Sequence, residues 1–295
     1  MTLRRSQVQV LSGPHMYIGA HVSIADGFDK CIDRVVKLGG NTLMTFASSP
    51  RSLTTRGFSD HEISQYLAKK SLHNIGPHFF HGVYLLNLAS ENKNYLNASI
   101  KSLIFYQQLA SRIGAVGTIF HIGSYRLRSF SETLTQIVHS INFILDSSPK
   151  GSKLILENSA GQGNTVGDQF EELSQIVDRI GDRSKIGVCL DTQHAFASGY
   201  QLSSVLEKFD KIIGAKYLSV IHLNDSLSDF NSHVDRHANL GEGKIGLENM
   251  EIFIKSLKTK TKNYPSLILE VPGSNHSGPR KIDLDLVKKL VMSPS

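Results

Sequence analysis

Residues 186–194 read IGVCLDTQH, an apolar run that ends at Asp191 and is followed by His194. Four other apolar runs, GTIF, KLIL, YLSVI and SLIL, end in the same way. The residues that directly follow them are His121, Glu157, His222 and Glu270. In a parallel β/α barrel the carboxyl ends of the strands meet at one mouth, where catalytic side chains are placed. The pattern therefore predicts an enzyme site built from strand ends.

Outward from this stretch, eight strand-like runs alternate with eight amphipathic segments. The predicted strands are 17–21, 42–46, 75–79, 116–121, 153–157, 186–191, 217–223 and 266–270. The predicted helices lie near 25–38, 59–72, 94–112, 130–146, 168–180, 201–213, 246–257 and 281–291. This alternation predicts a single-domain (β/α)8 TIM barrel of the α/β class. Ser59 and Ser129 each precede a glutamate by three residues, a spacing typical of capped helix starts.

The first fifteen residues, MTLRRSQVQVLSGPH, do not share this pattern. They are basic but lack the apolar stretch of a secretory signal. A second methionine, Met16, directly precedes the strand-like YIGAH. We expect 1–15 to be a disordered or non-native extension and 16–295 to form the catalytic barrel.

Composition sets wider bounds on the 295-residue chain. Its formal net charge of +6 weakly favours an anionic partner. No apolar run approaches the roughly 18–20 residues of a membrane span, so no membrane association is expected. The two cysteines, Cys31 and Cys189, are too few for a disulfide scaffold and fit a reducing cytoplasm. Nothing indicates a symmetric interface, so a monomer is expected.

Further candidate donors stand beside the five strand-end residues. They are His81, His194, Asp235 and His237, which bring the set to five imidazoles and four carboxylates. Nitrogen and oxygen donors without thiolate suit zinc or manganese at catalytic sites. Nine donors exceed the needs of one four- or five-coordinate ion, so the set favours several metal ions.

Electrostatics support the same interpretation. Two carboxylates about 4 Å apart repel by roughly 4 kcal/mol at an effective dielectric of 20. Four converging carboxylates would therefore shift their pKa values or attract cations. Three divalent ions among them would leave a charge of about +2, which attracts a phosphate diester. His21 is not needed for this set, and we expect it to support a ligand or to pack. His78 does not match a donor position.

Several segments resemble motifs of the endonuclease IV family of apurinic/apyrimidinic endonucleases. They are YIGAHVS, YLLNLAS, ENSAGQGNTVG, GVCLDTQHAFASGY, HLNDS and VDRHANLGEG, and the similarity runs from Tyr17 to about Glu270. The resemblance implies a (β/α)8 barrel with three zinc ions, for which Mn²⁺ is a conceivable substitute. One zinc would be held by His81, His121 and Glu157. Glu157 would bridge to a second, completed by Asp191, His222 and Glu270. A third would be held by His194, Asp235 and His237.

The resemblance also implies an activity on double-stranded DNA. A hydroxide would attack the phosphate 5′ to an abasic sugar, leaving a 3′-hydroxyl and a 5′-deoxyribose phosphate. Glu157 and Glu270 would orient that hydroxide, and removal of 3′-blocking groups is a further expected activity. Arg51, Tyr84 and Leu85 match side chains that the family inserts into DNA. Asn87 and Asn224 are expected to shape loops near the site. If the source is prokaryotic, the protein would associate with the nucleoid.

Three positions depart from the family pattern. HIGS replaces the usual HPGS at His121, Leu53 replaces an aromatic residue, and VPG follows Glu270. None is a candidate ligand, but the first two leave the details of DNA grip open.

Two other functions remain possible from the sequence. A sugar or sugar-phosphate isomerase or epimerase on the same barrel would use one or two divalent ions, which leaves His194, Asp235 and His237 unexplained. A non-catalytic DNA-binding protein would leave the whole donor set unexplained.

Overall fold

The structure is a computed structural model that describes residues 16–260 and 264–293. Eight parallel strands close into a barrel, which confirms the predicted fold. These strands are β1 (Ile18–His21), β2 (Thr42–Thr45), β3 (His78–His81), β4 (Gly117–Phe120), β5 (Lys153–Glu157), β6 (Ile186–Asp191), β7 (Leu218–His222) and β10 (Ser266–Leu269). The barrel closes where β1 pairs with both β2 and β10. The predicted extension 1–15 lies outside the described residues.

The helices surround the barrel and follow the predicted segments closely. Within the described ranges they are α1 (Lys30–Lys37), α2 (Asp60–Leu72), α3 (Lys93–Ile113), α4 (Phe130–Asp146), α5 (Phe170–Asp178), α6 (Thr192–Ala197), α7 (Leu202–Ile212), α8 (Gly246–Lys260) and α9 (Lys281–Met292). The short α6 was not predicted. Nor was the antiparallel pair β8 (Asp225–Ser226) and β9 (His237–Ala238), which lies in the long connection after β7. None of the described helices is long and apolar enough to cross a membrane.

The two predicted helix starts are confirmed. The Ser59 hydroxyl accepts the Glu62 N–H at 3.2 Å, and the Glu62 carboxylate accepts the Ser59 N–H at 2.9 Å. Ser129 and Glu132 form the same reciprocal pair at the start of α4. Each reciprocal pair is a capping box, which binds backbone N–H groups that the first helical turn would otherwise leave unpaired.

The predicted start of the third strand, in the range 75–79, is wrong by three residues, because β3 spans 78–81. Pro77 has no N–H to donate to a ladder. The Ile75 N–H closes the preceding turn on the carbonyl of Lys70, whereas the Gly76 N–H bonds the carbonyl of Asn41, which directly precedes β2. Regular pairing with β2 begins after Pro77, with His78 opposite Leu43. His81 consequently becomes the last residue of its strand.

The barrel interior is closed by one apolar layer, which we call the plug. It consists of the buried side chains of Met44, Phe79, Ile119, Ile155, Cys189, Val220 and Ile268. Side chains alternate between the two faces of a strand with a period of two. Residues two positions beyond the plug therefore point to the same axis, one layer nearer the mouth. The residues at those positions on the last six of these strands are His81, His121, Glu157, Asp191, His222 and Glu270.

His78 faces the other way, outward from the barrel axis into the layer between β3 and α2. Its Nδ1 lies 2.7 Å from the Tyr66 hydroxyl, and its Nε2 lies 3.0 Å from the Thr45 hydroxyl. All three side chains are buried. Burial holds the pKa of His78 well below its usual value, so the ring is neutral. His78 is thus a core histidine whose two ring nitrogens are both hydrogen-bonded. It is not a metal ligand, as the sequence indicated.

We expect Tyr66→Phe to lower the free energy of unfolding by about 1–3 kcal/mol, because one buried nitrogen of His78 loses its partner. Urea unfolding followed by circular dichroism measures the change. Tyr125→Phe is the control, since the Tyr125 hydroxyl makes no side-chain hydrogen bond within the described residues. Equal stability of the two variants would contradict the assigned network.

Candidate metal centre

The first group of candidate ligands lies over β3, β4 and β5. Glu157 Oε2 is 3.0 Å from His81 Nε2 and 3.6 Å from His121 Nε2. His81 donates its Nδ1–H to the carbonyl of Gly82 at 2.6 Å, which leaves the Nε2 lone pair facing Glu157. A second hydrogen bond of this kind fixes the tautomer and orientation of a metal-binding histidine. The three side chains can hold a cation between them.

The second group shares Glu157 with the first. His222 Nδ1 lies 2.8 Å from Glu157 Oε1 and 3.0 Å from Glu270 Oε2. Asp191 Oδ2 is 3.8 Å from the same nitrogen. Since one oxygen of Glu157 faces each group, this carboxylate can bridge two ions.

The third group combines α6 with the connection after β7. Asp235 Oδ2 lies 3.4 Å from His194 Nε2, and Asp235 Oδ1 lies 3.5 Å from His237 Nε2. Asp191 also approaches this group, because its Oδ2 is 3.8 Å from His237 Nε2. All nine candidate ligands are thus brought together, although Asp235 and His237 lie more than forty residues beyond Asp191 in the chain.

The charges in this cluster are unusual for a protein interior. Among residues 16–260 and 264–293, no lysine or arginine forms an ion pair with any of the four carboxylates, Glu157, Asp191, Asp235 and Glu270. Burial alone would raise the pKa of Glu157, but His121 and His222 hold that pKa well below its usual range. Burial likewise would lower the pKa of His194, yet Asp191 and Asp235 raise that pKa to about 10. The negative charge of the carboxylates therefore has to be compensated by positive charge. Divalent cations could supply that charge in place of protons on the imidazoles.

Cys189 lies directly below this cluster, within ligand distance of Glu157 and His222. Burial raises the pKa of its thiol to about 12. Apart from this thiol, the candidate ligands offer only nitrogen and oxygen atoms. Such a set suits zinc or manganese.

Two buried asparagines hold the candidate ligands in place. Asn224 donates its side-chain N–H to Asp191 Oδ2 at 2.6 Å and accepts the Glu270 backbone N–H at 2.9 Å. Asn158 pairs through its side chain with the backbone of Asp191, and its carbonyl accepts the His194 Nδ1–H at 2.9 Å. The sequence indicated a loop-shaping role for Asn224 but did not single out Asn158.

His21 lies beside the second group. Its Nδ1 donates to Glu270 Oε1 at 2.6 Å, and its ring packs 4.4 Å from that of Phe46. Its place against a candidate ligand agrees with the supporting role expected for it.

Asp225 organises the glycine-rich segment that closes the connection after β7, and sequence reasoning missed it. Its buried carboxylate accepts five backbone N–H groups, from Ser226, Gly241, Gly243, Ile245 and Gly246, at 2.8–3.3 Å. A Cβ at position 243 would lie 2.5 Å from Asp225 Oδ1, so only glycine allows this approach. No signal in the sequence indicated this role, since Asp229 and Asp235 also lie between Asp225 and the glycines of LGEGKIG.

The mouth above the centre is open and divided by a ridge formed by Tyr84 and Leu85. Cavities of about 590 and 530 Å³ lie on either side of the ridge, and His121, His194 and Asp235 line both. Tyr84 is 61% exposed and Leu85 39% exposed, which rules out a core role for either side chain.

The ridge is held from two sides. The Tyr84 N–H bonds the carbonyl of Pro50, next to the exposed Arg51, at 3.1 Å, and the Tyr95 hydroxyl donates to the carbonyl of Leu85. Asn87 fastens the following turn to the carbonyl of Ser124 at 3.0 Å. The loops bearing the three expected DNA-contacting residues are therefore adjacent.

The fold and the donor cluster together define a barrel enzyme with a candidate multinuclear metal centre. Residues 32–290 match the family model described as "Xylose isomerase-like TIM barrel". The chain is 38% identical over 281 residues to "Probable endonuclease 4" of Halothermothrix orenii, covering 93% of this chain and 99% of that protein. The crystal structure of endonuclease IV from Thermus thermophilus superposes with a TM-score of 0.79 at 30% identity, covering 93% of this chain and 97% of that one.

A D-tagatose 3-epimerase-like protein also superposes, with a TM-score of 0.74 at 19% identity, covering 94% of this chain and 97% of that one. At that identity the likeness extends to the fold alone. The chain belongs to the endonuclease IV family.

We expect Asp225→Asn to loosen the segment 241–246, because an amide has one acceptor oxygen and sets an NH₂ group against backbone donors. Hydrogen exchange at the amides of Gly241, Gly243 and Ile245 should accelerate by at least tenfold, or about 1.4 kcal/mol. Asp178→Asn is the control, since that exposed carboxylate pairs with Arg183 and with no residue of the segment 241–246 among the described residues. Unchanged protection in Asp225→Asn would refute the organising role of Asp225.

Proposed function

We propose that this protein is a zinc-dependent DNA repair endonuclease that hydrolyses the phosphodiester 5′ to abasic sites. The products are a 3′-hydroxyl and a 5′-deoxyribose phosphate, and 3′-blocking groups are further substrates. One observation carries the proposal: four carboxylates converge on five imidazoles beneath an open mouth, with no lysine or arginine pairing with them in the described part of the chain. The family relationship supports the same activity.

The residues present fit three zinc ions, with Mn²⁺ as a possible substitute. His81, His121 and Glu157 would hold the first; Glu157, Asp191, His222 and Glu270 the second; and His194, Asp235 and His237 the third. Zinc at such a site lowers the pKa of water and offsets negative charge on phosphate oxygens.

The side chains themselves would do the positioning. Both oxygens of Glu157 face imidazoles, and His21 holds one oxygen of Glu270 while His222 faces the other. Two carboxylates fixed in this way can orient an attacking water and accept its proton. Because the barrel strands hold both carboxylates in place before substrate arrives, little reorganisation is needed during the reaction.

The ridge and Arg51 suit a duplex with a missing base. An abasic nucleotide has lost the stacking that resists extrusion from a helix. Tyr84 and Leu85 would enter the gap, and Arg51 would contact the phosphate backbone. We further infer that the protein acts as a monomer in the cytoplasm, at the nucleoid if its source is prokaryotic.

A labelled duplex with a single tetrahydrofuran site tests the activity. Zinc-loaded protein should cut on the 5′ side of the lesion, and DNA polymerase should extend the new 3′ end. An undamaged duplex is the control. No incision, together with turnover of a sugar phosphate and one or two exchangeable ions per chain, would support the isomerase alternative instead.

Glu157→Gln and Glu270→Gln should each reduce incision by roughly 10²–10⁴-fold, as expected for loss of a positioned proton acceptor. Binding of the damaged duplex should largely persist, because neither side chain forms the DNA-facing ridge. Single-turnover incision and fluorescence anisotropy measure the two effects, with circular dichroism to check folding. Parallel loss of incision, binding and structure would contradict the assigned roles.

Binding of the damaged duplex should weaken steeply with salt, because phosphate contacts release condensed counterions. Arg51→Ala should lower the slope of log K against log salt by about 1. Lys150→Ala is the control, because Lys150 precedes β5 at the opposite rim of the barrel. A flat salt response of the wild type would count against duplex DNA as the substrate.

A further inference from the structure

Two of the nine candidate ligands lie neither at a barrel strand end nor on α6. Asp235 and His237 belong to the long connection after β7, whereas six of the others lie at or next to strand ends and His194 lies on α6. The Asp235 side chain is 47% exposed, the highest value among the nine. The ten-residue loop 227–236 therefore needs anchors of its own, and these include the Asp235 N–H on Gln162 Oε1 at 3.0 Å and the His233 N–H on the Ala197 carbonyl at 2.9 Å.

The buried side chain of Gln193 provides such an anchor. Its Nε2 donates to the carbonyl of Val234 at 3.1 Å and to the hydroxyl of Ser228 at 3.1 Å, and lies 3.4 Å from the hydroxyl of Ser226. Val234 directly precedes Asp235, and Ser226 pairs with His237 between β8 and β9. One amide group thus contacts both ends of the loop.

The groups of the loop that face Gln193 are hydrogen-bond acceptors, and they require a neutral side chain with two N–H protons. The Ser226 hydroxyl donates to the Ser228 carbonyl at 2.8 Å, and the Ser228 hydroxyl donates to the Val234 carbonyl at 2.6 Å. Both hydroxyl protons are therefore used inside the loop, and their remaining lone pairs can only accept. The NH₂ group of glutamine matches that demand. The Oε1 atom of Gln193 has no hydrogen-bond partner among the described residues, so only its donor contacts would be lost on replacement.

We propose that Gln193 is a positioning residue that sets the affinity of the third metal ion. This inference rests on the proposed trinuclear centre. Gln193 and His194 are consecutive on α6, so one helical turn supplies one candidate ligand directly and holds the loop that supplies two more. The first and second groups stand on barrel strands and do not depend on this contact.

Zinc titrations of the full chain at buffered free zinc, with metal content measured by mass spectrometry, test the inference. The wild type should bind three ions. Gln193→Met preserves volume but removes both donors, and should weaken the third ion by about 10–100-fold while the other two are unchanged. Gln193→Glu should weaken the third ion further, because it sets carboxylate oxygens against the loop's acceptors.

Gln107→Met is the matched control. Gln107 is also buried, and it donates to the carbonyl of Lys153 at 3.0 Å at the opposite rim of the barrel. It should lose stability yet keep all three zinc affinities. Three unchanged affinities in Gln193→Met, or equal weakening of all three, would overturn the inference alone. A wild type that saturates below three ions would instead refute the proposed centre on which the inference rests.

Discussion

The structure depends on a concentration of negative charge that the protein does not neutralise with lysine or arginine in its described residues. Glu157 and Asp191 are fully buried, and the positive groups that face them are imidazoles. Bringing carboxylates together in a low-dielectric interior is costly unless cations compensate them. Divalent cations would provide that compensation, and the candidate ligands lie close enough together to hold them. The open mouth and the exposed ridge lie directly above this cluster.

The barrel supplies most of the precision that such a centre needs. Because strand side chains repeat every two residues, six candidate ligands stand one layer above the apolar plug and inherit the register of the sheet. Asn158 and Asn224 then fix their orientations through backbone and side-chain hydrogen bonds. The loop 227–236 is the exception, because contacts from outside the barrel strands, including those of Gln193 and Gln162, hold it in place. Substitutions that disturb the loop 227–236 should therefore displace Asp235 without displacing the six candidate ligands at the strand ends.

The fold and the candidate ligands could be predicted from the sequence because both depend on patterns within short segments. An apolar run followed at once by Asp191 or Glu157 needs no tertiary information to be noticed, and the barrel guarantees that such ends converge. The third strand was misplaced because its apolar run begins before Pro77, which shifts the ladder towards His81. That error came from weighing hydrophobicity above backbone donors.

The supports could not be predicted in the same way. Asp225 acts on amides up to 21 residues away, and Asn158 acts on Asp191, 33 residues away. The sequence analysis did not single out Gln193, and only the folded loop shows what its amide contacts. A side chain whose role is to satisfy distant backbone groups leaves no periodic pattern in the chain. The candidate ligands could be found in the sequence because few residue types bind metals, whereas many residue types can supply a hydrogen bond.

The most direct measurement of the central claim is a crystal structure of the zinc-loaded protein with anomalous diffraction collected on both sides of the zinc absorption edge. We expect three zinc peaks, the first beside His81, the second beside His222 and the third between His194 and Asp235, each with ligand distances near 2.0–2.2 Å. A single peak, or carboxylates neutralised by protons with no zinc among them, would contradict this expectation.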